Sequence, residues 1–559
     1  MKNKFFIQLY WLLFFHLSFL AASQIISKPL PARAVGNNTA SPVGINLGGI
    51  TYYSTDFPFI NAFKNADKWR TVCVNTDPGC TGSQFTKEEN LLQVDRNGWV
   101  KSLPTREDSP IYTRVRTFLF ADVGNRYPGG QYVVLYKGEG KFSYGGAAQL
   151  IQTQLGRDII NVDSTTGRKI WIDIVSTDPQ KNGNYIRDII LVKAEDEGKV
   201  NTQIFRPQYL DKLRGFQVIR FMDWMNINGS LEKFWDKRPL PASATYTKGS
   251  APIEVMVSLS NKINASPWFN MPHMADNNYV TNFANLVKAN LKSNLKVYVE
   301  YSNEVWNYSF PQGTWVEQQA IQEWPASQYP QSAWIKRLNW HGKRTAEVCE
   351  IWKNVFADRP KSVVCVLGSQ GANTWASIQS LDCPLWVNRP CYNHKIDALG
   401  MGAYFGHYIG LPDNQERISS WSVDQLFQEI NSGGQVSNSV PGGALADVKT
   451  KILANFQIAG QRNLKLFAYE GGQHLTGVGA VANNNNITNL FITANRDPRM
   501  YDAYTTLLNY WKYNGGSLFM HFNYVNPSSK WGSWGLLEHI DDQTSPKYQA
   551  VKDFIRNNP

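Results

Sequence analysis

Two short apolar stretches far apart in this chain each run into a glutamate, and few architectures can use such a pair. The first, residues 296–307, reads Lys-Val-Tyr-Val-Glu-Tyr-Ser-Asn-Glu-Val-Trp-Asn. Val297, Val299 and Tyr301 share one face at period two, among β-branched and aromatic neighbours, which predicts a strand. It leads into Asn303 and Glu304, with Trp306 just beyond. The second, residues 464–474, repeats the layout: a short apolar run, Glu470, then two glycines that let the backbone turn. For a single Glu the ordinary reading is a solvated loop residue or a structural ion pair, because glutamate is rarely buried alone. Two strands that each deliver a Glu at the C-terminal end are what a paired-carboxylate glycosidase needs.

The stretches between them alternate strand and helix. Residues 44–53 read as a first strand. Residues 215–224 follow as the second, with Arg220 and Asp223 towards its end, and residues 266–274 as the third. An amphipathic helix comes next, with Tyr279, Phe283, Leu286, Val287 and Leu291 three or four apart on one face. It leads into the Glu304 strand. Residues 361–367, 396–404, 464–470 and 516–523 supply the remaining strands, so the alternation predicts an α/β chain. One region breaks the rhythm. From about residue 98 to 200, four period-two runs (112–120, 131–136, 169–175 and 185–192) are separated by turn residues without a convincing helix. They predict an antiparallel β-sandwich inserted between the first and second strands.

The Asn-Glu pair on one strand and the lone Glu three strands later resemble the clan A glycoside hydrolases, which are retaining (β/α)8 barrels. The wording Tyr301-Ser-Asn-Glu-Val-Trp-Asn307 also resembles a group of secreted bacterial proteins loosely labelled cellulose-binding. The likeness covers roughly residues 44–90 and 205–559. It implies a (β/α)8 TIM barrel with Glu304, after strand 4, as acid/base and Glu470, after strand 7, as nucleophile. It further implies that Asn303 binds the sugar 2-hydroxyl and that Arg220 keeps the nucleophile ionised. By the same resemblance His273 lines the sugar site, Tyr404 hydrogen-bonds the nucleophile, and a Trp after strand 8 lies beneath the sugar. Trp534 is preferred to Trp531 for that place. Trp306 and His474, beside the two glutamates, complete the candidate substrate-binding set. Glu300 rivals Glu304 for the acid role, but it lies four residues earlier, about 13 Å deeper along a straight strand. It reads better as a buried, charge-paired barrel residue.

Residues 1–34 read as a signal peptide: Lys2 and Lys4 precede an apolar run from Phe5 to Ala22, with small residues where cleavage would fall. An uncleaved anchor is the alternative. The domain plan is therefore a leader at 1–34, a barrel start at 35–95, the insert at 96–202 and the rest of the barrel at 203–559. The mature protein is expected to be secreted, whether periplasmic, extracellular or at the cell surface, without stable membrane insertion if the leader is removed.

Aromatic residues make up 13% of the chain, with 19 Trp and 26 Tyr, which suits stacking against pyranose faces as well as a Trp-rich core. The net charge of +11 comes without a Lys/Arg cluster, so nucleic acid is not an expected partner. Of six cysteines, Cys73 and Cys80 bracket one turn-rich loop and Cys383 and Cys391 another; both pairs are expected as local disulfides. No spacing resembles a zinc site, and neither metal nor cofactor is expected. Nucleophile-elbow, phosphate-loop and metalloprotease motifs are missing. The reading is a secreted retaining glycosidase acting on a β-linked poly- or oligosaccharide. Its alternative is a non-catalytic carbohydrate-binding or adhesion protein on the same barrel.

Overall fold

The computed structural model describes residues 42–558 except 78, 81–83, 86–90, 106–112 and 248. The expected leader lies outside the described residues. Eight strands close into a parallel barrel: β1 (Val43–Asn46), β2 (Val218–Arg220), β3 (Ser266–Met271), β4 (Val297–Tyr301), β5 (Val363–Ser369), β6 (Ala398–Phe405), β7 (Lys465–Gln473) and β8 (Gly516–His521). Neighbours pair in chain order, and β1 closes the ring by pairing with both β2 and β8. Helices return the chain between most strands. The one before β4, Asn277–Asn290, starts where the Asp276 side chain accepts a 2.7 Å bond from the Tyr279 backbone N–H.

Side chains that alternate along each strand divide the barrel into an outside and an inside. Outward residues such as Ile45, Ile219, Phe269, Val299, Leu399 and Leu466 join the main core with the helices. Inward residues Val218, Trp268, Val366, Ala398, Phe467, Leu518 and Met520 form a separate apolar plug. Two residues further along several strands, the inward positions turn polar: Arg220 follows Val218, Asn270 follows Trp268, and Glu300 follows Tyr298. The plug thus ends in a charged layer just below the C-terminal mouth, where barrels of this architecture carry their sites. Gly368 on β5 makes room for that layer. A Cβ there would stand 2.6 Å from Oε1 of Glu300.

Between β1 and β2 the chain forms two antiparallel sheets. One has four strands in the order Arg187–Lys193, Gly130–Lys137, Arg157–Val162, Ala148–Gln154. The other has five, in the order Gln84–Phe85, Arg70–Cys73, Arg114–Leu119, Ile170–Thr177, Gly140–Gly146. The sheets touch through a 2.6 Å bond from the Tyr144 hydroxyl to Asp158 and an edge-on contact of Tyr136 with Phe142. Arg70–Cys73, which the sequence plan assigns to the barrel start, pairs with Arg114–Leu119, so this sheet recruits chain from before residue 96. Cys73–Cys80 and Cys383–Cys391 are disulfide-bonded, whereas Cys349 and Cys365 are buried thiols. No helix among the described residues is long and apolar enough to cross a membrane.

Candidate active site

The polar layer is organised by Arg220, which is fully buried. Its Nη1 donates to Oε1 of Glu470 at 2.8 Å and to Oδ1 of Asn46 at 3.0 Å. Its Nη2 donates to Oε2 of Glu300 at 2.8 Å and to Oδ1 of Asn303 at 2.9 Å. One guanidinium from β2 therefore ties β1, β4 and β7 together, a task for which its planar fork is suited and a lysine is not. Burial opposes the Arg220 charge, but the two carboxylates outweigh it and raise its pKa.

Glu300 lies below the mouth among Arg220, the Trp268 indole N–H at 3.0 Å and the Asn270 amide at 2.8 Å. Burial raises its pKa, against the pull of Arg220. The straight-strand spacing of Glu300 from Glu304 does not carry through. Ser302 and Glu304 both have positive φ, at 58° and 42°, so the chain bends after Tyr301 and side chains from 300 and 303 meet the same guanidinium.

The two candidate catalytic carboxyls sit in different surroundings. Glu470 receives Arg220 on one oxygen and the Tyr404 hydroxyl, at 2.9 Å, on the other. Glu304 receives the Asn307 amide at 3.0 Å and the Tyr469 hydroxyl at 3.1 Å. Burial, and after it the negative charge of Glu470, pushes Glu304 up to about 7, while the Asn307 and Tyr469 bonds and Arg220 act the other way. A third carboxyl, Asp223 beyond the end of β2, is likewise raised to about 7 by burial and then by Glu470.

The remaining predicted residues divide into those the fold gathers here and those it does not. Asn303 is engaged at both ends of its amide, Oδ1 by Arg220 and Nδ2 by Asn228 at 3.1 Å, which leaves one N–H for a ligand. Tyr404, His474 and Trp534 form an aromatic wall beside Glu470: the His474 ring centre is 4.9 Å from Trp534 and 5.5 Å from Tyr404, and Tyr404 is 5.9 Å from Trp534. Burial lowers His474 to about 3, so it is neutral at ordinary pH. Trp531 stands 58% exposed, with Lys530 over its ring. His273 is buried edge-on against Trp315, and its backbone carbonyl accepts from Tyr301. Among the described residues no hydrogen bond joins it to either carboxyl. Trp306 is half-buried, with its carbonyl held by Arg337.

Sequence reasoning missed Asn46, Asn307 and Tyr469 and left Asp223 without a role. Asn46 and Asn307 carried no motif. Tyr469 was hidden by a bulge: Met401 pairs with Ala468 but Gly402 with Glu470, so Tyr469 is an extra residue in β7. The bulge turns Tyr469 and Glu470 to the same interior instead of to opposite faces.

No known family pattern matches the sequence, and no curated protein sequence matches it. Solved structures with a similar fold include a 4-O-α-L-rhamnosyl-β-D-glucuronidase from Fusarium oxysporum 12S, at 10% identity over 62% of this chain and 62% of that one, TM-score 0.35. An endo-β-1,4-mannanase from Cellulomonas fimi shares 10% identity over 62% of this chain and 72% of its own, TM-score 0.32. A β-glucosidase from Thermotoga maritima shares 10% over 62% and 84%, TM-score 0.34. The first match thus spans less than two thirds of the glucuronidase. At these values the likeness supports no assignment of activity, and the site's chemistry has to be argued from its own residues.

Proposed function

We propose that this protein is an exported glycoside hydrolase that cleaves a β-linked poly- or oligosaccharide with retention, using Glu470 as nucleophile and Glu304 as acid/base. The observation that carries this reading is the contrast between the two carboxyls. Glu470 faces two hydrogen-bond donors, one of them cationic, whereas Glu304 is pushed up to about 7. Pairs of titratable groups whose surroundings drive them apart are how acid and base roles are divided at one pH. The two disulfides support export, since such bonds persist mainly in oxidising compartments.

In the first half-reaction the Glu470 carboxylate attacks the anomeric carbon as the glycosidic C–O bond breaks, and Glu304 gives its proton to the departing oxygen. An ester between Glu470 and the sugar results. Its formation removes the Glu470 charge, so Glu304 becomes the stronger acid and stays ionised after its proton has left. It then takes a proton from water, which attacks the anomeric carbon and releases Glu470. In this reading the remaining Asn303 N–H donates to a sugar hydroxyl, and Trp534 supplies a flat apolar face for the ring.

Two measurements test this reading. Hydrolysis across a panel of β-linked polysaccharides and aryl β-glycosides should find a substrate, and NMR of the first product should show the starting anomeric configuration. The kcat/KM of that substrate should then fall on the alkaline side with a midpoint near 7, because the free enzyme needs Glu304 protonated. A profile flat through neutrality removes Glu304 from the acid role. Glycan binding with no cleavage at all makes the barrel a binding scaffold.

A further inference from the structure

We propose that Tyr469 is the positioning residue of the proton donor: its phenol hydroxyl holds the Glu304 carboxyl in place and sets how readily that carboxyl releases its proton. The proposal rests on the glycosidase reading for its kinetic consequence only, because the contact exists whatever the protein acts upon.

Three observations support it. The bulge in β7 turns Glu470 into the barrel beside the inward Tyr469, so consecutive residues of one strand supply one carboxyl and a donor to the other. The ring is locked: Tyr469 is 1% exposed, belongs to the interior plug, and has the Arg220 guanidinium 5.3 Å from its ring centre. Its hydroxyl has two acceptors within reach, Oε1 of Glu304 at 3.1 Å and the Ser369 carbonyl at 3.4 Å, and the carboxyl is the nearer. The site is thereby paired, with Tyr404 donating to Glu470 and Tyr469 donating to Glu304.

A hydroxyl donated to a carboxylate stabilises the ionised form. The other groups that face Glu304 are Glu470 on β7, whose charge favours the protonated form, Arg220 on β2, which favours the ionised form, and the Asn307 amide on its own loop, which does the same. Tyr404 on β6 remains a neutral phenol, since burial and then Glu470 raise its pKa well above the ordinary value. Removing the Tyr469 hydroxyl leaves burial and Glu470 less opposed, so the Glu304 proton is held more tightly.

The test is the variant Tyr469→Phe, which keeps the ring and its packing. The protonated-carboxyl infrared band of Glu304, identified by its loss in Glu304→Gln, is followed against pH without substrate. Its midpoint should rise by about one pH unit, and the alkaline limb of kcat/KM should move up with it. Incorporation of 3-fluorotyrosine at position 469, a stronger donor of nearly the same shape, should move both down. If the band titrates unchanged in Tyr469→Phe while thermal stability drops, the hydroxyl serves the Ser369 carbonyl and the proposal is overturned. A midpoint that moves while the kinetic limb stays also overturns it. If the midpoint moves in a protein that hydrolyses no glycoside, the positioning role stands and the glycosidase reading falls.

Discussion

Glu470→Gln should abolish hydrolysis of every substrate, whereas Glu304→Gln should abolish it selectively. The difference follows from what each side chain does. Without a nucleophile at 470 no glycosyl-enzyme forms, and a better leaving group does not help. Without a proton at 304 the leaving oxygen must depart as an anion, which an alkoxide does poorly and a dinitrophenolate does well. For Glu304→Gln, kcat/KM on an unactivated oligosaccharide should fall by about 10²–10⁴-fold, the usual contribution of general acid catalysis. On a dinitrophenyl glycoside it should fall far less, while kcat drops because the ester still needs its general base. Added azide, which needs no base, should restore kcat for Glu304→Gln and return a glycosyl azide of retained configuration. Equal losses on both substrates would remove the acid role, and full activity in Glu470→Gln would end the assignment altogether.

The largest effect on stability is expected at Arg220. Arg220→Met keeps much of the side-chain volume but leaves Glu300 and Glu470 as buried carboxyls without their cation, and Asn46 and Asn303 without their donor. Breaking a buried charge pair from one side costs about 3–5 kcal/mol, because the partner left behind is neither solvated nor neutralised. Urea unfolding followed by Trp fluorescence should show that loss as an earlier midpoint. Arg220→Lys should recover only part of it, since one ammonium cannot reach acceptors on β1, β4 and β7 together. A loss below about 1 kcal/mol for Arg220→Met would mean that both carboxyls are protonated in the native protein, contrary to the role given to Glu470.

Much of this was legible because the barrel is written in local patterns. Each of the eight predicted strands overlaps an observed one, since period two and β-branched composition operate over a few residues at a time. The antiparallel region was visible for the same reason. Gly140–Gly146 and Ala148–Gln154 lie outside the period-two runs because the first is rich in Gly and the second in Gln. Arg70–Cys73 pairs with the distant Arg114–Leu119, and nothing in four residues says which edge they will join.

The sequence by itself determined the strand–helix order and which strands end in carboxyls, both properties of short segments. Only the tertiary structure decided who meets whom at the mouth. Arg220 reaches Asn46, Glu300, Asn303 and Glu470 because closing the ring brings three separated segments within the span of one guanidinium. Glu470 turns into the barrel beside Tyr469 because pairing between β6 and β7 slips by one residue, and strict alternation after the inward Phe467 and Tyr469 would have sent it the other way. Glu304 is pushed up to about 7 by burial and by the charge of Glu470, and desolvation and through-space charge depend on neighbours that the chain acquires only when it folds.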